Sequence, residues 1–176
     1  MNSRQIVKTG LVKRGANGVE AIVFVDGDER DGDLRWAEVK ALPPPKVELG
    51  SELWLDNNER VRLPFNALPW ILPARNGVLV LFEEGEYTNP DGSDVFPKPN
   101  NAAIYNADGS LRFQLKLPAG TIADRIGGVH SGAMPEKFRA MMGVVVATHP
   151  QSFPEWVYAV DPSQPELIET HQWVRW

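Results

Sequence analysis

The chain contains no cysteine. Disulfides, thiolate nucleophiles and Cys-ligated zinc are therefore excluded, and redox chemistry gives no clue to compartment. Long apolar runs are also missing. No window approaches the roughly 18–20 apolar residues of a membrane-spanning helix. The N-terminal stretch MNSRQIVKTGLVKRG lacks the apolar segment of a secretory signal. The expectation is a cytoplasmic protein with no membrane partner. Histidine is scarce, and His130, His149 and His171 form none of the HxH, HxxxH or HExxH spacings of metal sites. Bases are outnumbered 18 to 23, for a net charge of −5. Nucleic-acid binding runs on Lys and Arg neutralising phosphates, so no nucleic-acid partner is expected.

What is present suits a globular fold. Of 176 residues, 43% are apolar and 23% charged, ordinary proportions that argue against global disorder. A chain this long can bury a substantial core in one domain.

The pattern is that of strands. Within 101–118, Leu111, Phe113, Leu115 and Leu117 alternate with Arg112, Gln114 and Lys116, and Asn106-Ala107-Asp108-Gly109 supplies a turn. Period 2 around such a turn predicts a hairpin with one face in a core. Residues 19–25, 77–82 and 143–148 are apolar on both faces, as central strands are. Further strands are expected at 6–12, 34–40, 53–55 with 60–63, 121–126, and in a last hairpin of 155–160 with 167–176. One short helix is expected near 135–142, where Phe138, Met141 and Met142 fall at i, i+3 and i+4 behind Pro135.

A weak internal repeat links 77–81 plus the 101–118 hairpin to 143–147 plus the last hairpin, each a three-stranded unit. The predicted fold is mainly β, with antiparallel sheets arranged as a sandwich or open barrel, and blade-like three-stranded units as the variant the repeat suggests. The chain reads as a single domain over 1–176. It can also be cut into an N-terminal β lobe (1–63) and a C-terminal β lobe (74–176), joined by the apolar, proline-rich crossover 64–73.

No catalytic or metal motif survives inspection. Asp26 and Asp28 sit at the first and third positions of a calcium-loop pattern, but Arg30, Gly32 and Ala37 occupy positions where ligands are needed. Ser131 lacks the G-x-S-x-G elbow, and the glycines at 127, 128 and 132 lack the Lys-Ser/Thr of a phosphate loop. No cofactor, metal or catalytic residue is assigned.

The distinctive feature is charge layout. Asp26, Asp28, Glu29, Asp31 and Asp33 form one acidic segment, and Glu83, Glu84, Glu86, Asp91 and Asp94 another. The rest of the chain holds 13 acids against 17 bases, net +4. Acidic patches steer basic partners and reject wrong ones. The first functional reading is thus a non-enzymatic protein-binding protein, of the inhibitor or immunity kind, whose partner presents a basic surface to these ten residues. The alternative is a small-ligand or carbohydrate-binding β module using exposed members of Trp36, Trp54, Trp70, Trp156, Trp173 and Trp176. A third is an enzyme whose site assembles around His130 with Asp124, Arg125 and Ser131.

Overall fold

The computed structural model describes residues 4–27, 32–147 and 155–174. The protein is mainly β. Its strands are β1 (Ile6–Arg14), β2 (Glu20–Asp26), β3 (Val47–Leu55), β4 (Arg60–Arg62), β5 (Pro69–Ile71), β6 (Gly77–Leu81), β7 (Ala102–Asn106), β8 (Leu111–Gln114), β9 (Arg125–His130), β10 (Met142–Ala147), β11 (Trp156–Val160) and β12 (Ile168–Trp173). They form three four-stranded sheets, ordered β2-β1-β3-β4, β5-β6-β7-β8 and β12-β11-β10-β9. All three sheets are antiparallel, and among the described residues no sheet closes into a barrel. The second and third sheets are simple meanders. The repeating unit is thus four strands rather than three, with Pro69–Ile71 and Arg125–His130 supplying the extra ones.

The chain divides into two compact units, Met1–Val80 with Tyr105–Ser110, and Leu81–Ile104 with Leu111–Trp176. In the first, Ile6, Leu53, Leu55, Leu63, Phe65, Leu72 and Leu79 are buried. In the second, Ile104, Leu115, Ile126, Val144, Val146, Val157 and Leu167 are. The runs 77–82 and 143–148 contribute β6 and β10, inner strands buried on both faces, as their uninterrupted apolarity demands.

Four local expectations are corrected. Residues 19–25 form an edge strand, not a central one, because among the described residues β2 pairs only with β1. Its second apolar face is explained by a helix, α1 (Gly32–Ala41), whose Val39 packs with Leu42, Ala21 and Val23. That helix occupies the expected strand 34–40. Leu, Arg, Ala, Glu and Lys are good helix formers and the alternation there was poor, so propensity prevailed. The expected helix near 135–142 is a single 3-10 turn, Glu136–Phe138, because Met142 already begins β10. The strand expected at 121–126 starts at Arg125 and runs on through Gly127 and Gly128, with a bulge opposite Val145 and Val146.

The proline-rich 64–73 segment is held by hydroxyls. Three prolines leave it short of N–H donors, and its carbonyls accept instead. Ser51 Oγ donates to Ala67 O at 2.5 Å and Thr9 Oγ1 to Pro69 O at 2.7 Å. Phe65, Ala67, Ile71 and Leu72 are buried, so this is an internal segment with β5 inside it.

One turn recurs four times. In residues 15–19, 55–59, 89–93 and 106–110 the first residue's N–H donates to the fifth residue's carbonyl, and the fourth residue's N–H donates back to the first. The third residue (Asn17, Asn57, Asp91, Asp108) accepts the fifth residue's N–H on its side-chain oxygen at 2.9–3.1 Å. The fourth (Gly18, Asn58, Gly92, Gly109) has φ between 65° and 85°. This is the three-residue hairpin loop closed by a residue in the left-handed region.

Candidate functional site

The acidic loop 83–99 is a built structure. Its base is aromatic: Phe82 stacks on Phe96 with centroids 5.1 Å apart and on Tyr87 at 5.6 Å. Above that base the third copy of the recurrent turn, Asn89-Pro90-Asp91-Gly92-Ser93, closes a small hairpin bridged at Thr88 and Asp94. Three of the five carboxylates hold the loop. Asp91 Oδ1 accepts from Ser93 N at 3.0 Å and Ser93 Oγ at 2.6 Å. Asp94 Oδ1 accepts from Gly85 N at 2.8 Å, and Glu86 Oε2 from Glu83 N at 2.9 Å. The serine hydroxyl and amide lower the pKa of Asp91 below the usual carboxylate value, so its charge is secure. Glu83, Glu84, Glu86 and Asp91 are all exposed. Lys98 lies 3.5 Å from Glu84, a loose surface pair.

The other acidic segment is less of a unit. Asp28, Glu29 and Asp31 lie outside the described residues, and Asp33 falls in the first turn of α1. Asp26 is half-buried and accepts the Ile71 amide at 3.3 Å, which ties β2 to β5. The two acidic segments belong to different compact units.

The groups of the catalytic reading are spread along one strand. Arg125 opens β9 and His130 ends it, a separation of roughly 16 Å at ordinary strand rise. Asp124 and Ser131 are exposed. The His130 imidazole lies against Gly132, where any added Cβ would meet Nε2 at 2.8 Å. His171 sits on a β-bulge with φ 59° and points to solvent near Glu169; His149 lies outside the described residues. His130 and Gly132 line an open groove of about 410 Å³ with Ala133, Gln172, Trp173 and Val174. Trp173 is 45% exposed there, and Trp36 on α1 is 52% exposed. Trp54, Trp70 and Trp156 are half-buried, and Trp176 lies outside the described residues.

Reading by motif missed a charged network on the first sheet. Glu52 is only 3% exposed. Arg60 donates Nε and Nη2 to its Oε2 at 2.8 and 2.5 Å. Arg62 donates Nε to Oε1 at 2.9 Å and Nη2 to the same oxygen. Glu20, paired with Arg14 at 2.7 Å, approaches Arg60 at 3.8 Å and Arg62 at 4.0 Å. The Arg14 hydrogen bond lowers the Glu20 pKa. Trp54 packs under the Arg60 and Lys8 cations at 5.3 and 5.8 Å. The available signal was parity: Glu52 and Trp54 on one strand, Arg60 and Arg62 on its hairpin partner, all on one face.

No protein-family model matches the chain, and no curated protein or solved structure matches it.

Proposed function

We propose that the protein is a non-enzymatic binding protein of the inhibitor or immunity kind, and that its acidic loop 83–94 receives a basic surface of a partner protein. The observation that carries this is the loop's construction: an aromatic base and internal hydrogen bonds fix the loop that bears its five carboxylates. A surface ordered in advance loses little entropy on docking, and concentrated charge raises the association rate. Asp26, Asp28, Glu29, Asp31 and Asp33 are the second candidate contact in this reading.

The test is capture of a partner from lysate, followed by association kinetics with purified components. Glu83 and Glu84 are the residues to reverse, because Glu84 holds Lys98 only loosely at 3.5 Å and the carboxylates that close the loop are those of Glu86, Asp91 and Asp94. The Glu83→Lys/Glu84→Lys variant is expected to associate at least about tenfold more slowly at low salt. A control with Glu136→Lys and Glu166→Lys, both exposed, should associate as the natural protein does. Equal rates for the loop variant and the natural protein would overturn the assignment.

The groove beside Trp173 favours a second reading, a small neutral ligand stacked on the indole with Gln172 and His130 as hydrogen-bonding groups. It predicts a saturable tryptophan-fluorescence change with a mono- or disaccharide, lost in Trp173→Ala. Absence of such a change across a glycan panel dismisses it.

A further inference from the structure

Glu52 is supplied with more positive charge than it needs. A buried carboxylate requires a counter-charge, and one bidentate arginine meets that requirement. Here two arginines each bind one oxygen. Arg14 is matched by Glu20. Taken together, Arg14, Arg60 and Arg62 face Glu20 and Glu52 across this side of the sheet, three positive charges against two negative. This local excess of +1 stands in a chain whose net charge is −5.

The geometry of the excess is specific. Each guanidinium turns its Nε edge inward to Glu52, so its opposite edge is left for a second acceptor. Among the described residues no hydrogen bond reaches Nη1 of Arg60 or Arg62. The side chains are 45% and 44% exposed. One carboxylate pins both, and Trp54 packs against the Arg60 guanidinium. The rotamer entropy that normally weakens surface arginine contacts is therefore already lost.

We propose that Arg60 and Arg62, held by Glu52, form a binding site for a small tetrahedral oxyanion of the phosphate class. The free guanidinium edges supply paired N–H donors, which match two oxygens of one phosphate. Glu52 is a positioning residue: it directs the two arginines and does not touch the ligand. This site is independent of the acidic loop.

The test is a titration with sodium phosphate, at ionic strength held constant with sodium chloride, followed by NMR of the arginine Nε–Hε signals. Arg60 and Arg62 are expected to shift saturably, while Arg112 and Arg139 stay nearly fixed. The Arg62→Lys variant keeps the charge but loses the fork, and should bind roughly tenfold more weakly. Glu20→Gln removes an opposing charge at the rim and should tighten binding about threefold. Linear shifts of equal size at all four arginines would mean an ionic atmosphere only and would overturn the site. So would equal affinity of Arg62→Lys and the natural protein.

Discussion

Asn101 is 2% exposed and uses its amide completely. Nδ2 donates to the carbonyls of Phe82 at 2.9 Å and Ile126 at 3.1 Å, and Oδ1 accepts the Ile126 amide at 2.9 Å. A side chain thus does the work of a strand at the start of β9. Asn101→Leu would leave two carbonyls and one amide buried without partners. At about 1–3 kcal/mol each, a loss of about 3 kcal/mol or more is expected in urea unfolding. The exposed carboxylates of the turns behave differently. Asp91, Asp108 and Asp161 each accept a serine hydroxyl and amide, and each has its pKa lowered from 3.8 by those bonds. A folded pKa below the unfolded one gives stability that is present above about pH 4 and is lost as pH falls through the folded value. In Ser110→Ala the Asp108 carboxyl, followed by its carbon-13 signal, should titrate at higher pH than in the natural protein. An unchanged midpoint would show that the hydroxyl is not the cause.

Among the elements, the recurrent turn allows a matched comparison. Gly92 and Gly109 hold the same position with φ of 85° and 83°. A Cβ at Gly92 meets nothing within 4 Å, whereas at Gly109 it meets Val61 Cγ1 at 2.8 Å. Gly92→Ala is expected to cost about 1–2 kcal/mol from backbone strain alone, and Gly109→Ala clearly more in the same thermal unfolding assay. Equal costs would mean that the 106–110 turn yields without disturbing β4. Three of the four turns were legible as turns in the sequence, since Gly18, Asn57-Asn58 and Gly109 signal them. The fourth was also written there: Asn89-Pro90-Asp91-Gly92-Ser93 copies Asn106-Ala107-Asp108-Gly109-Ser110 at three identical flanking positions and its glycine. The prolines and acids around it made the segment read as an irregular loop. The three strands with two apolar faces were found, and only 19–25 was misplaced, because a helix and a neighbouring strand both cover an apolar face. Helix α1 was misread because only Val39 among its apolar residues is buried, while Leu34 and Trp36 are 65% and 52% exposed, so no apolar stripe marks it.

For the molecule as a whole, charge is segregated rather than merely negative. The acidic loop is readable directly, as five acids in twelve residues. The arginine face is not, because its members come from β1, β2, β3 and β4, and only strand register brings them together. Charge at the loop is also separable from folding. Reversing Glu83 and Glu84 should leave the thermal midpoint within a few degrees, since exposed substitutions typically change stability by about 0.5 kcal/mol or less. Asp91→Ala and Asp94→Ala, which remove hydrogen-bonded acceptors, should raise amide exchange at Ser93 and Gly85 instead. A large drop in midpoint for the double reversal would show that Glu83 and Glu84 hold the loop as well.

The order β2-β1-β3-β4 of the first sheet has a kinetic consequence. In the other two sheets each strand neighbours the next in sequence, so pairing can proceed by local closure on the microsecond scale of hairpins. In the first, β1 must find β3 across β2 and the whole of α1, with Ile6 opposite Leu55. Closing that longer loop before any contact rewards it is the slow step expected of this chain. Mutations at the β1–β3 seam, such as Leu53→Ala, should therefore slow refolding. Mutations in the meander hairpins, such as Val157→Ala, should mainly speed unfolding.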